Sequence, residues 1–142
     1  MVSYLLNRKY TDVMLLAVRF LLAFELLWHG VPKLLDPAAA ADQFVGWGFP
    51  GILGPIVGIF ELIAGILLIV GYLTPVAVLI GLGVISVAWL TVQLPMGGIH
   101  AALERDTLII LTLLVLLAFG PGRFAIGSRL PQPNLFSRST SG

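Results

Sequence analysis

Glu25 and His29 stand four residues apart in an otherwise apolar stretch. On a helix that spacing makes them neighbours on one face. A carboxylate and an imidazole so placed can share a proton, or both reach one ligand oxygen, as a proton gate or the carbonyl of a quinone ring would require. Trp89 and Gln93, also four apart, could add an aromatic wall and an amide donor. Glu25, His29, Trp89 and Gln93 are therefore the candidate quinone and proton site. The competing reading is a polar cap that satisfies Gln93 and the end of a neighbouring helix. Arg19, Glu61 and Arg105 are the other charges set in apolar surroundings, and each needs a partner or water.

Two histidines with two glutamates also raise the question of a metal. No H-x-x-x-H or E-x-x-H spacing is present, so no metal site is expected. The absence of cysteine excludes disulfides, iron–sulfur clusters and thiol chemistry. Nor does any recognisable motif ligate haem, so an electron carrier would have to come from a partner.

The elements that position these groups follow from composition. Of 142 residues, 58% are hydrophobic and 11% charged, with a mean hydropathy of +1.03. A soluble domain carries about 25% charged residues, because it must cover itself with water-facing groups. The net charge of +1 leaves no basic footprint for nucleic acid. The expected class is an all-α integral membrane protein with lipids as its surroundings. Four apolar segments, at about 12–30, 52–71, 75–94 and 103–120, make a four-helix transmembrane bundle over residues 1–130. The last contains a 13-residue apolar stretch and must extend back through Glu104, Arg105 and Asp106 to cross. Gly71 and Pro75 mark a tight hairpin between spans two and three. Asp36-Pro37 and the alanines after it read as a short, N-capped interfacial helix in the loop after Gly30. Residues 131–142 form a polar tail, unfolded alone, for which a partner subunit is the expected support.

Arg8, Lys9, Arg123, Arg129 and Arg138 flank the termini, so both ends are expected in the cytoplasm of a bacterial inner membrane. Counting about 1.5 Å per residue from that side brings Arg19 and Glu61 to similar depths, and Glu25 near Arg105. Two structural ion pairs are expected, Arg19–Glu61 and Glu25–Arg105. The first reads either as a clamp on helix packing or as a proton relay. At 100° per residue, Gly54, Gly58, Ala64, Gly65 and Leu68 share a face with Glu61. This small-residue seam predicts close approach of a neighbouring helix, with Ile59, Ile63 and Ile66 turned to lipid. Gly83, Ser86, Trp89, Leu90 and Gln93 form a second mixed face on span three.

Several segments carry a family resemblance. They are Arg19, the run Trp28-His29-Gly30-Val31-Pro32-Lys33-Leu34, the turn Gly48-Phe49-Pro50, the stretch from Glu61-Leu62 through Gly65 and Gly71 to Thr74, and the ending Gly120-Pro121-Gly122-Arg123-Phe124-Ala125-Ile126. In this order and spacing the chain resembles the DoxX family of small four-span bacterial membrane proteins, from Val18 to Leu130. The resemblance implies kinship with a membrane subunit of thiosulfate:quinone oxidoreductase and with subunits of redox-stress complexes. It implies an accessory subunit of a larger membrane redox complex. The alternatives are a quinone-interacting subunit of an oxidoreductase and a small transporter using Arg19 and Glu61 as a coupling site. Inverted repeats and broken midplane helices, which a transporter would favour, are not visible.

Overall fold

The structure, a computed structural model, describes residues 8–97, His100 and residues 106–128. Every regular element among the described residues is helical. Helix α1 covers Arg8–Leu35, α2 Pro37–Gly46, α3 Leu53–Val70 and α4 Thr74–Ala88. A π-helical segment, Trp89–Gly97, prolongs α4, and α5 covers Thr107–Phe119. A short 3-10 turn, Ile126–Ser128, follows. Among the described residues three helices are long and apolar enough to cross a membrane: Tyr10–Leu35, Leu53–Val70 and Thr74–Pro95. With 13 residues α5 is shorter, about 20 Å of helix. Residues 101–105, which the expected fourth span needs, lie outside the described residues, as does the tail at 131–142.

Helix α1 packs on α3, α3 on α4, α4 on α5, and α5 returns to α1, which closes a ring of four. Leu22, Ala23, Leu26, Ala64, Leu68, Ala77, Val78, Leu113 and Leu116 fill its centre. Outside, Phe20, Leu21, Phe24, Ile59, Ile63 and Ile66 are exposed, as lipid-facing side chains should be.

The first helix does not stop at Gly30. It runs on through Pro32 to Leu35. Proline lacks an N–H, so the carbonyl of Trp28 loses its helical donor, yet one further turn follows and Asp36 N–H closes it on Pro32 O at 3.1 Å. Helix α2 then starts where the sequence placed it: Asp36 Oδ1 accepts from Ala39 N–H at 3.0 Å, ahead of Pro37. Phe44 anchors α2, with its ring 5.2 Å from that of Trp47 and 6.2 Å from that of Phe49.

The buried face of α3 is Gly54, Gly58, Glu61, Ala64, Gly65 and Leu68, the seam read from the sequence. Backbones touch along it. A Cβ on Gly30 would lie 2.9 Å from the Glu61 Cβ, and one on Gly58 would lie 2.8 Å from the Lys33 Cβ. Gly71 ends α3 in the left-handed region at φ 70°, and its N–H bonds Leu67 O at 2.8 Å.

At its far end α4 widens. Thr91 donates its hydroxyl back to Val87 O at 2.6 Å, and Pro95, four residues later, has no N–H to give. Both compete with regular α-helical pairing, and the chain takes the looser π spacing instead.

Candidate functional site

Arg19 is 1% exposed and makes three hydrogen bonds, all to backbone carbonyls. Its Nε donates to Leu68 O at 2.9 Å, Nη2 to Ile69 O at 2.8 Å and Nη1 to Pro121 O at 3.1 Å. The first two acceptors belong to the last turn of α3, whose carbonyls have no intrahelical donors. A guanidinium there satisfies them and sits favourably at the negative end of the helix dipole. The segment after α5 joins the same node: Gly127 N–H bonds Gly71 O at 3.0 Å, and Arg123 N–H bonds Asp12 Oδ1 at 3.0 Å.

Glu61 finds a different partner from the expected one. Lys33 Nζ lies 2.5 Å from Glu61 Oε2, and the two side chains are 15% and 6% exposed. The expected Arg19–Glu61 pair is therefore corrected to Lys33–Glu61 and an Arg19 clamp on carbonyls. The antiparallel register of α1 and α3 explains this. Ala23 faces Gly65 and Gly30 faces Gly58, so Arg19 falls beside the end of α3, while Lys33 lies against Gly58, one turn from Glu61, and reaches that carboxylate along its side chain. Glu61 precedes Leu68 by seven residues, about 10 Å of helix. Depth counted along each helix from the cytoplasmic side does not fix this offset; the glycine crossing does.

Next to this pair lies a cavity of about 630 Å³ between α1, α2, α3, α4 and the start of α5. Leu26, Val57, Val84, Ile85 and Ile109 give it aliphatic walls, and Trp28, Phe44, Trp47 and Phe49 aromatic ones. Glu25, His29, Lys33, Glu61, Gln93 and Asp106, with Gln43 and Thr91, supply its polar lining. His29 Nε2 lies 3.2 Å from Glu25 Oε1, so the neighbours inferred from spacing are in contact. Carried on Nε2, the imidazole proton is donated to the carboxylate. Gln93 reaches the same cavity from the π segment.

Trp89 does not line the cavity; Trp28 and Trp47 supply the indoles there instead. Arg105 lies outside the described residues, and so does the expected Glu25–Arg105 pair. Among the described residues no group of three or more His, Cys, Asp or Glu is arranged to hold a metal ion. Lys33 is one polar cavity residue that sequence reasoning missed as a site, with Gln43 and Asp106. Its signal was available: Glu25, His29 and Lys33 repeat at intervals of four, and Pro32 hid the continuity of their helix.

No curated protein and no solved structure gives a significant match to the chain. A family model described as DoxX matches residues 14–94, over half of the sequence. That range holds Arg19, Glu25, His29, Lys33, Glu61 and Gln93, and with them the carbonyl clamp donor, the buried ion pair and most of the polar wall of the cavity. The chain belongs to the DoxX family of small membrane proteins.

Proposed function

We propose that the chain is a four-span subunit of a membrane redox complex, with both termini cytoplasmic and a quinone-class ring as the guest of its cavity. The observation that carries this reading is the Glu25–His29 contact at 3.2 Å inside an aromatic-walled cavity of about 630 Å³. Pockets for small organic ligands measure about 300–1,000 Å³ and combine apolar walls with a few convergent polar groups. A quinone ring fits that description, and its isoprenoid chain would leave toward lipid past the exposed Trp28. The amide of Gln93 and the imidazole of His29 suit a carbonyl oxygen, while Glu25 coupled to His29 suits a hydroxyl proton.

Electrons would come from or go to a partner subunit, since the chain carries no ligating motif of its own for haem or an iron–sulfur cluster. Its exposed faces, Phe20, Leu21 and Phe24 on α1 and Ile59, Ile63 and Ile66 on α3, are available to lipid and to such a subunit. The test uses the protein in lipid nanodiscs. Ubiquinone-1 should quench the fluorescence of Trp28 and Trp47 saturably, and Glu25→Gln or His29→Ala should weaken its binding at least tenfold with the fold intact. Parent-like binding in both variants would leave only the accessory-subunit role.

A further inference from the structure

A second, smaller pocket of about 380 Å³ lies between the end of α1 and α2, lined by Pro32, Lys33, Asp36, Ala39, Ala40 and Gln43. Three of these residues, Pro32, Lys33 and Gln43, also line the large cavity. Asp36, Ala39 and Gln43 are exposed, as is the neighbouring Asp42, so the small pocket reaches the polar surface of the bundle. Lys33 thus lines both pockets, with its ammonium paired to Glu61.

On α1 the titratable groups form a column. Glu25, His29 and Lys33 follow at four-residue intervals, a rise of about 12 Å from first to last. Glu25 and His29 touch, Lys33 and Glu61 touch, and all four side chains line the same cavity. From the other packed elements, α3 contributes Glu61, α5 begins beside Asp106, and the α4 extension adds only the neutral Thr91 and Gln93. A clamp between α1 and α3 would need only the glycine crossing and one pair. A column that begins at a cavity and ends in a surface pocket has the form of a proton route.

We propose that Lys33 and Glu61 form the outlet through which the cavity exchanges protons with water on the face of the bundle that carries α2. The proposal rests on the quinone reading above and adds the path and its side. Reduction of the bound ring takes two electrons, supplied by a haem or iron–sulfur cluster of the partner subunit, and two protons, and turns both carbonyls into hydroxyls. Each proton passes from water in the small pocket to the Lys33–Glu61 pair, then to His29 and Glu25, and from them to a ring oxygen. Oxidation reverses the order.

Two measurements test it. The native chain has no cysteine, so single cysteines report alone. In vesicles, Gln43→Cys and Lys33→Cys should react with a small, charged, membrane-impermeant thiol reagent added on the α2 side only. Glu25→Cys should react more slowly. Gln43→Cys disturbs no ion pair, so it reads access even if Lys33→Cys does not fold. No labelling at position 43 or 33, or labelling from the other side, overturns the route.

The second measurement is film voltammetry of protein saturated with ubiquinone-1, where the electrode supplies electrons and water supplies protons. Lys33→Met/Glu61→Gln should slow reduction at least tenfold at saturating ubiquinone-1. Parent-like reduction rates in the double variant overturn the proposal. If the parent protein does not bind ubiquinone-1, the quinone reading fails, and the labelling result alone decides whether the water route exists.

Discussion

Lys33 and Glu61 meet at the point where the backbones of α1 and α3 come closest, with Gly30 against the Glu61 Cβ and Gly58 against the Lys33 Cβ. The two glycines bring the helix axes near enough for a short contact between side chains that would otherwise be held apart. Buried ion pairs gain or lose stability according to geometry, and breaking one by removing a single partner is costly.

Lys33→Met alone should therefore destabilise the protein by about 3–5 kcal/mol, because it leaves the Glu61 carboxylate buried and unpaired. Lys33→Met/Glu61→Leu should recover much of that loss. Thermal unfolding in detergent reads both. Equal melting temperatures for the single and the parent would show that the pair contributes nothing.

Arg19 should be harder to replace than either. Arg19→Met removes the donor from three carbonyls, and hydrogen bonds from a charged donor are worth about 1.5–3 kcal/mol each. Arg19→Lys keeps the charge but not the fork, so it should rescue only part of the loss. Limited proteolysis gives the second readout: cleavage after Arg123 should accelerate in both variants, since Arg19 fastens the segment at Pro121.

The glycines separate cleanly by position. Gly30→Ala places a methyl 2.9 Å from the Glu61 Cβ and should cost about 1–3 kcal/mol by overpacking. Gly83→Ala meets nothing within 4 Å and should be neutral or stabilising by about 0.5–1 kcal/mol, through helix propensity alone. Melting temperatures of the two variants in one detergent make the comparison. A loss at Gly83 as large as that at Gly30 would contradict the crossing described.

Topology is testable with fusions. A reporter active only outside the cytoplasm should stay silent at the C-terminus and give signal when inserted after Gly46, at the end of α2. Signal at both places would mean an odd number of spans, with α5 failing to cross.

The sequence was most legible where one periodicity governs. On α3 the small residues and Glu61 fall on one helical stripe, and that stripe is the buried face. The Asp36-Pro37 cap was equally readable, because the interaction is local. Arg19 was not. Its acceptors are backbone carbonyls, which leave no mark in the residue types, and they lie 49, 50 and 102 positions away. An arginine and a glutamate in apolar segments invite pairing with one another, yet axial offset decides, and offset depends on which glycines cross. Trp89 shows the limit of helical wheels: the wheel assumes 100° per residue, and the chain leaves that spacing at Trp89 itself.

The three bonds of Arg19 also impose an order on biosynthesis. Helix α1 leaves the ribosome ahead of α3 and α5, carrying a guanidinium whose acceptors have not yet been made. Leu68 and Ile69 follow about 50 residues later, and Pro121 about 100 residues later. Until then the charge must keep water, lipid headgroups or an insertion machinery as its company, because hydrocarbon offers it no acceptor. A helix translated before its acceptors is thus late to settle at full depth. A ribosome stalled before residue 68 should hold α1 in a shallow position, displaced toward the side from which it entered.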